Sequence, residues 1–491
     1  MEQLSRSRLL TDVLDLGQSL KEEIPGLSKE ITDIADRADE PLRVAIAGKV
    51  KAGKSTLLNA LVGDELAPTD AGECTRLVTW YQHGRVYKVE AQMKDGVREQ
   101  VRFAREDGAI EVDLEDRNVE SIDRLMVEWP VKTLKDMTLI DTPGIASLST
   151  EISQRSHSFL APDDEKSTPS DAVIYLLRHL HATDVSFLHS FHEDEYAQPS
   201  PINCVAVLSR ADEVAVGRLD AMTSASKIAR RYGDDPRLRR LVQTVMPVAG
   251  LLAQAGTGLR ELEYRRLVKL AETPESETEK LMLTADRFAT AETSSDIDEV
   301  GRRALLSRLG LFGVRLAVHA IRQGDVTSTA AMATLMREES GIDELRTTLF
   351  DVFGARRDTL KARSALLSIQ RLAEEHGISA DLEARIERTV AGAHEFTELR
   401  VLNDIRSGAL VLRSDDLVDI ERLLGGSGTS IERRLSLSED SGPEKQKAAV
   451  LDAIGRWRGC AESPLSSPSL VTAARVAVRS CEGMFVALNP Q

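Results

Sequence analysis

The sequence predicts an α/β domain built on a mainly parallel sheet, followed by an elongated α-helical region. Three observations support this prediction. Short apolar runs alternate with helix-length segments between about residues 44 and 250, which is typical of buried parallel strands joined by helices. Strand-like runs follow one another with little helix between residues 77 and 130, which predicts an antiparallel extension of the sheet. Strand signals end near residue 260, and helical periodicity continues to the end of the sequence.

These patterns divide the chain into four segments, because its 491 residues exceed what one hydrophobic core usually holds. Residues 40–260 form the predicted α/β domain, residues 261–352 a neck of short helices, and residues 353–491 a bundle of long helices. Residues 1–39 carry a helix with a leucine-rich face and no core of its own. We therefore expect this helix to pack with the bundle, against the helices near 445–486.

Composition and charge exclude several classes of function. The formal net charge of −16 argues against a general nucleic-acid binder, which usually has a basic excess. The four cysteines are far apart and lack metal-binding spacing, so we expect free thiols in a reducing compartment. No signal-peptide core follows the start of the sequence, and no apolar run approaches the roughly 20 residues of a membrane-spanning helix. The sequence therefore predicts a cytoplasmic protein that touches a bilayer only peripherally.

The stretch "GKVKAGKS" at 48–55 is a phosphate-binding loop, G-x-x-x-x-G-K-[ST], between an apolar strand and the start of a helix. Gly48 and Gly53 permit backbone angles that wrap amides around phosphate oxygens, and the helix N-terminus adds its dipole. We expect Lys54 to reach the β- and γ-phosphates and Ser55 to ligate Mg²⁺. The predicted nucleotide-binding residues of this segment are Gly48, Ala52, Gly53, Lys54, Ser55 and Thr56.

A nucleotide site of the GTPase kind also needs two elements that sense the γ-phosphate. One is a threonine about twenty residues after the loop, whose hydroxyl completes the Mg²⁺ shell. Thr75 is the favoured candidate for this catalytic and metal-binding role, and Thr69 is its rival. The other element is an acidic residue at the end of a second buried strand, with a glycine close behind. "LIDTPG" supplies Asp141, expected to bind Mg²⁺ through water, and Gly144.

A guanine-specific site needs a carboxylate that accepts hydrogen bonds from both N1–H and N2–H of the base. The usual [NT]-K-x-D motif is degenerate here, as "SRAD", and it follows an apolar strand where such a motif belongs. Asp212 can accept both hydrogen bonds, and Arg210 can lay its aliphatic stem on the base. Ser209 completes the motif. "PVAG" follows the last apolar run, and its Ala249 is the expected backbone contact to the base O6.

These motifs, their order and the helical surroundings resemble the bacterial dynamin-like GTPases. The strand-rich stretch before "VEWP" lengthens the α/β domain beyond a minimal GTPase domain, and helical segments lie on both sides of it. The segments "LLSRLGLFGVRLA" at 305–317 and "SGIDELRTTLFDVFGARRDTLKARSAL" at 340–366 are similar to those of actinobacterial dynamin-like proteins. Within that group the chain looks like the mycobacterial isoniazid-inducible Ini proteins, in particular the shorter member of the pair.

The resemblance implies a large GTPase that converts GTP to GDP and phosphate with Mg²⁺. Such proteins dimerise across the nucleotide face and couple hydrolysis to movement of a helical stalk that binds or remodels membrane. The expected partners are therefore GTP, a second copy or a related dynamin-like protein, and membrane lipids, with no nucleic acid. The expected location is the cytoplasm, peripherally at the inner face of the plasma membrane.

Two departures from the family pattern affect the phosphate-binding loop and the base motif. Eukaryotic dynamins carry Gln-Ser where this loop has Val50 and Lys51, and the base motif has Ser-Arg for Asn/Thr-Lys. In the related guanylate-binding GTPases an arginine at the position of Lys51 acts as a finger from within the chain. Lys51 therefore has two interpretations, a catalytic cation or a solvated loop lysine. Lys49 is interpreted as pointing to solvent or to a facing subunit.

The helical half leaves membrane contact and mechanism open. The stretch 308–321 is apolar, and we favour a buried helix of the neck over a membrane-binding segment. Two polar turns, 423–430 and 462–469, are alternative insertion points, and Trp457 is interpreted as a core residue. The main functional hypothesis is a mechanochemical GTPase at the membrane. Its alternative is a regulatory switch or scaffold that binds protein partners through the helical half.

Overall fold

The computed structural model describes residues 6–64, 66–67, 77–106, 109–114, 119–142, 170–192, 203–408, 410, 412–438 and 440–489. Eleven strands lie within these ranges, at Leu42–Gly48 (β1), Val78–His83 (β2), Lys88–Met93 (β3), Arg98–Gln100 (β4), Arg102–Glu106 (β5), Ala109–Asp113 (β6), Ile122–Trp129 (β7), Met137–Asp141 (β8), Ala172–Leu177 (β9), Cys204–Ser209 (β10) and Val245–Val248 (β11). The described helices before residue 260 are Arg8–Glu23, Ser28–Asp39, Lys54–Val62, Thr133–Asp136, Ala182–His192, Ala221–Gly233, Pro236–Arg239 and Gly250–Gly258.

Nine of these strands form one sheet in the order β11-β10-β9-β1-β8-β2-β7-β3-β4. Strands β8, β1, β9, β10 and β11 are mutually parallel, whereas β2 is antiparallel to β8 and β3 is antiparallel to β7 and β4. The predicted mixed, mainly parallel sheet is therefore confirmed. Within the extension, however, β2 and β7 pair in parallel. A second sheet consists of the antiparallel pair β5 and β6.

After residue 260 the described chain is helical. Its helices are Glu261–Glu272, Glu275–Leu281, Ala285–Thr290, Glu299–Gln323, Thr329–Glu339, Ile342–Leu349, Arg357–His376, Ala380–Gly392, His394–Ser407, Ser414–Leu423, Ile431–Leu435, Pro443–Glu462 and Pro468–Ala487. The helix Ile342–Leu349 belongs to the predicted neck, yet Ile342 and Leu345 are buried in the same cluster as Val44 and Ile46 of β1. The neck thus helps to cover the sheet instead of forming a separate unit.

The sequence predicted no apolar segment of membrane-spanning length, but the helix Glu299–Gln323, alone among the described helices, is long and apolar enough to cross a bilayer by length and composition. Of its apolar window, 44% is buried. It is interrupted at Gly310 and contributes Leu305, Leu309 and Phe312 to a buried cluster of the neck. Core helices of soluble proteins pass the same test of composition. This packing agrees with the interpretation of residues 308–321 as a buried helix.

The N-terminal helix packs with the predicted bundle, as expected, but against different helices of the bundle from those that the sequence suggested. Helix Arg8–Glu23 shares a buried cluster with Arg357–His376 and Ala380–Gly392, in which Leu10 and Leu20 meet Ile369 and Leu382. The predicted contact with residues 445–486 is wrong, because those residues form a different cluster around the buried Trp457. Periodicity identified the apolar face but carried no information about which helix covers it.

The two turns considered for membrane insertion differ in their surroundings. The turn at 423–430 faces inward, because Arg356 donates to the carbonyls of Leu424 and Gly425 at 3.2 and 2.8 Å. Gln243 of the α/β domain donates through Nε2 to the carbonyl of Gly426 at 3.0 Å, so the turn also contacts that domain, and its use as an insertion tip is excluded in this conformation. The turn between Pro443–Glu462 and Pro468–Ala487 is exposed, and the side chain of Leu465 is 95% accessible.

A buried ionic cluster joins the α/β domain to the helical half. The carboxylate of Asp171, just before β9, lies 2.9 Å from Lys361 Nζ and 3.4 Å from Arg37, and it accepts from the backbone N–H of Arg43 at 2.9 Å. Burial opposes the charge on Asp171, but Lys361 and Arg37 outweigh it and hold the pKa of Asp171 below its usual value. The cluster therefore links three segments that are far apart in sequence.

Replacing Lys361 with methionine should destabilise the protein by about 3 kcal/mol, because it leaves a buried carboxylate partly uncompensated. Thermal unfolding and urea midpoints of the parent and the variant measure this change. Adding Asp171→Asn to Lys361→Met removes the uncompensated charge and should restore part of the loss. If the single variant unfolds at the parent's midpoint, Asp171 is adequately neutralised by Arg37 and the backbone alone.

Candidate nucleotide-binding site

The phosphate-binding loop lies where the sheet changes direction of winding. β1 lies in the sheet between β9 on one side and β8 on the other. Where the connections of a parallel sheet diverge to the two sides of a strand, a crevice opens at the carboxyl end of that strand. At Gly48 (φ 153°) a Cβ atom would lie 2.7 Å from the carbonyl oxygen of Leu176, so no other residue fits. Gly53 (φ 94°) precedes the helix Lys54–Val62 in the left-handed region. The geometry of the loop therefore explains why glycine occupies both positions.

Lys54, Ser55 and Asp141 meet at the base of this loop. Lys54 Nζ lies 3.5 Å from the carbonyl of Gly48, and Ser55 Oγ donates to Asp141 Oδ2 at 3.3 Å. Burial raises the pKa of Asp141 despite the nearby Lys54, and burial lowers the pKa of Lys54. Both charged groups are thus partly shielded from water, with few partners inside the protein.

The chemistry of these groups fits Mg²⁺ and a phosphate chain. Asp141 Oδ1 is buried and has no hydrogen-bond partner, which is the position a water of a bound Mg²⁺ would fill. Ser55 Oγ is the hydroxyl that would ligate the ion directly. Among the described residues no group of three or more His, Cys, Asp and Glu side chains could hold a metal. This agrees with Mg²⁺, which phosphates and water usually bind with only one or two protein oxygens.

A cavity of about 140 Å³ lies beside the loop. It is lined by residues of the loop, of β10 and of the turn after β11, including Ala52, Thr56, Val207, Ser209, Asp212 and Leu251. The structure thus brings the predicted base motif next to the predicted phosphate motif. Asp212 is 7% exposed, and burial raises its pKa to about 6. The apolar walls of the cavity and the buried Asp212 carboxylate suit a planar base with hydrogen-bond donors on one edge.

The backbone contact expected from Ala249 is not available. The Ala249 N–H donates to the carbonyl of Ser340 at 2.9 Å, and Ala249 does not line the cavity. Helix Gly250–Gly258 begins one residue later, so the amides of Gly250 and Leu251 have no acceptor within the helix. These two residues line the cavity and replace Ala249 as candidates for a contact to the base O6. The start of a helix after "PVA" was the sequence signal for this position.

Arg210 connects the base motif to the phosphate loop. It adopts a left-handed backbone conformation (φ 54°), pairs with Glu213 at 2.8 Å and donates through Nη2 to the carbonyl of Lys51 at 3.1 Å. This contact supports Arg210 as the counterpart of the lysine in the usual motif, because its stem runs along the cavity edge. Lys51 is itself left-handed (φ 61°), and its side chain is exposed.

Lys49 was expected to point to solvent or to another subunit, and this is wrong. Its Nζ lies 3.1 Å from Asp184 Oδ2, and the carboxylate of Asp184 is buried. Asp184 also accepts from the Tyr175 hydroxyl at 2.8 Å and from the His181 N–H at 2.9 Å. Lys49 therefore ties the loop to the N-terminus of helix Ala182–His192. No sequence motif indicates this pair, because the two residues are separated by 135 positions.

Three predicted residues lie outside the part of the chain that the structure describes. They are Thr75, its rival Thr69, and Gly144. The described residues alone therefore provide the phosphate loop, one Mg²⁺ hydroxyl, one buried carboxylate and the base cavity.

Guanine-nucleotide binding should weaken about tenfold between pH 7 and pH 5, because Asp212 must be ionised to accept from the base and its pKa is about 6. The sign follows from the charge: the carboxylate is anionic above its raised pKa and protonated below it. Calorimetry with GDP across this range measures the change. Inorganic tripolyphosphate is the control, since it shares the titration of phosphate but lacks the base. Equal slopes for the two ligands would contradict the role of Asp212.

Comparison with known proteins places this site in a family. The model of the Dynamin family matches residues 44–193. The chain is 40% identical over 458 residues to the isoniazid-induced protein IniC of Mycobacterium tuberculosis (strain H37Rv), covering 93% of this chain and 92% of that protein. It is also 32% identical over 114 residues to a bacterial dynamin-like protein of Nostoc punctiforme, covering 21% of this chain and 16% of that one.

A solved structure of an oligomerised bacterial dynamin pair covers 97% of this chain and 74% of its own, at 13% identity and a TM-score of 0.34. That similarity is too low to support a structural argument. The match to IniC is of a different order, because it extends over nearly all of both proteins. The chain therefore belongs to the bacterial dynamin-like proteins of the Ini type, with the GTPase fold of the dynamin family.

Proposed function

We propose that this chain hydrolyses GTP to GDP and phosphate, and that it couples the cycle to dimerisation and to membrane binding or remodelling. The observation that supports hydrolysis is the joining of the two motifs at one end of the sheet. The phosphate loop with Lys54 and Asp141 adjoins a cavity that holds Asp212. The hydrogen bond from the Arg210 side chain to the carbonyl of Lys51 connects the two parts.

Each described residue has one role in this proposal. The loop amides and Lys54 bind the phosphates, and the cavity with Asp212 orients the guanine, so the γ-phosphate is held in a fixed position. Mg²⁺, when bound, neutralises charge that develops on the phosphates. Ser55 and Asp141 are the residues that would hold it, with Thr75 proposed as the second hydroxyl and Gly144 as the γ-phosphate contact.

The nucleotide face has features that suit a second copy of the chain. The loop residue Val50 is 46% exposed, and Val216, which follows the base motif, is 73% exposed. Exposed apolar side chains beside a functional site are typical of protein contacts. Lys51 follows Val50 in the loop and is exposed, so a facing subunit could direct its ammonium toward the nucleotide. We therefore propose Lys51 as a cation that contributes to hydrolysis in the dimer.

This role of Lys51 predicts a specific kinetic result. In the parent, turnover per molecule should rise with protein concentration. Lys51→Ala should bind GTP within a few-fold of the parent yet lose this rise, and Lys51→Arg should keep or increase it. A good arginine finger contributes about 10³–10⁵ in rate, and a lysine should contribute less because it lacks the planar fork. If Lys51→Ala matches the parent at every concentration, Lys51 is a solvated loop residue.

Membrane action is proposed at the inner face of the plasma membrane, from the cytoplasmic side. The family supports this proposal, and the exposed Leu465 at the end of a long helical hairpin is the structural feature that suits it. Co-sedimentation with anionic liposomes should depend on GTP. Absence of lipid binding in every nucleotide state would favour the alternative, a regulatory switch that binds protein partners through its helical half.

A further inference from the structure

The neck helix Glu299–Gln323 reaches the base cavity at its interruption. Gly310 has φ 65° and ψ 174°, so the helix breaks there. A Cβ atom on Gly310 would lie 3.2 Å from Asp212 Oδ2 and 3.7 Å from Leu251 Cδ1. The break therefore faces the base-reading carboxylate and one wall of the cavity, although the helix lies outside the predicted α/β domain.

The same helix holds the loop that carries Asp212. Arg315 Nη1 donates to the carbonyls of Val216 and Gly217 at 2.7 and 2.6 Å, and its Nη2 donates to the carbonyl of Met282. Within the described chain Arg315 has no carboxylate partner within ion-pair distance, so these carbonyls are its principal contacts.

The loop is strained at the residues whose carbonyls accept hydrogen bonds from Arg315. Ala215, Val216 and Gly217 have φ values of 51°, 60° and 65°, three successive residues in the left-handed region. This region is unfavourable for a β-branched residue such as Val216 and persists only when surrounding contacts enforce it. A Cβ atom on Gly217 would lie 3.3 Å from the carbonyl oxygen of Asp212. The strained turn is thus packed directly against the backbone of the base reader.

We infer that Arg315 is a positioning residue for guanine selectivity. By holding the carbonyls of Val216 and Gly217 it fixes the turn behind Asp212, and the break at Gly310 leaves room for the carboxylate to present both oxygens to the base edge. Arg315 itself does not line the cavity, so its effect passes through Asp212. The inference rests on the proposed function, because it assumes that Asp212 reads guanine.

A selectivity measurement separates this role from general support of the fold. Guanine and hypoxanthine differ in the 2-amino group, which only a carboxylate engaged through both oxygens recognises fully. In Arg315→Gln the preference for GTP over ITP should therefore fall about tenfold, while affinity for tripolyphosphate stays within a factor of about two of the parent's. Gly310→Ala, which crowds Asp212 Oδ2 from the other side, should lower the same preference.

Arg322→Gln is the matched control. Arg322 lies on the same helix and donates to the carbonyls of Ala271 and Thr273, away from the base cavity. It should lower thermal stability without changing the ratio of GTP to ITP affinity. Arg315→Lys, which keeps the charge and one donor, provides a variant that folds if the glutamine variant does not, and it should show a smaller loss of preference.

The outcomes distinguish the inference from the proposed function. A parent with equal affinity for GTP and ITP would contradict guanine reading by Asp212, and the inference with it. A parent that prefers GTP, together with Arg315 variants that keep that preference unchanged, would overturn the inference alone. An equal loss in the Arg315 and Arg322 variants would also overturn it, since the effect would then be one of stability.

Discussion

Lys54→Ala should lower GTP affinity by about 3–4 kcal/mol, or roughly 10²–10³-fold, because the cation that meets the phosphate charge in the loop is lost. The ammonium of Lys54 lies 3.5 Å from the carbonyl of Gly48 in the loop, and the nearby Asp141 carboxylate stabilises its charge. Its removal leaves both the phosphates and the Asp141 carboxylate without their nearest positive charge. Calorimetric titration with a non-hydrolysable GTP analogue measures the loss directly.

The loop provides its own control for this prediction. Lys51 is three residues away and exposed, and Lys51→Ala should change affinity only a few-fold. Lys54→Met keeps most of the aliphatic stem and tests whether the charge or the packing is responsible. Equal affinity of Lys54→Ala and the parent, in proteins with matching thermal unfolding, would contradict the phosphate site.

The sequence predicted the parts of this site that depend on local pattern. A phosphate loop needs glycines, a lysine and a hydroxyl at fixed spacing between a strand and a helix, and each lies near its expected place. Asp141 and Asp212 were predictable for a related reason. Asp141 ends one buried strand and Asp212 follows shortly after another, and the carboxyl ends of both strands lie at the same edge of the sheet.

Contacts between distant segments were not predictable in this way. The pairing of Lys49 with Asp184 and the bond from Ala249 to Ser340 depend on how separate elements pack, and neither partner has a motif. For the same reason the sequence did not predict that Arg357–His376 covers the N-terminal helix, since an apolar face fits several helices equally well. The pattern of side chains indicates which surfaces are buried, but only the assembled fold determines which elements cover them.

These distant contacts bear on function because they join the neck to the nucleotide. Ser340 accepts from the residue that precedes Gly250, and the break at Gly310 faces Asp212. The base cavity therefore adjoins two segments of the neck. In a protein whose helical half is proposed to move, such contacts give nucleotide binding a physical route to the helices.

Asp212→Asn should exchange the base preference of the site. The amide presents an N–H donor where the carboxylate presented an acceptor, so one donor of guanine loses its partner and faces another donor. GTP affinity should fall by about 3 kcal/mol, roughly a hundredfold. Xanthosine triphosphate should gain affinity, because its base carries an oxygen at position 2, where guanine carries the amino group, and the new amide can donate to it.

Competition of the two nucleotides for one fluorescent analogue measures this exchange, and the neighbouring carboxylate supplies the control. Glu213→Gln makes the same chemical change one residue away, at a side chain that pairs with Arg178 and Arg210, and it should leave the preference for GTP intact. The weakening of GDP binding below pH 6 should also disappear in Asp212→Asn, since the titrating group is gone. An Asp212→Asn protein that still prefers GTP over xanthosine triphosphate as strongly as the parent would show that another group reads the base.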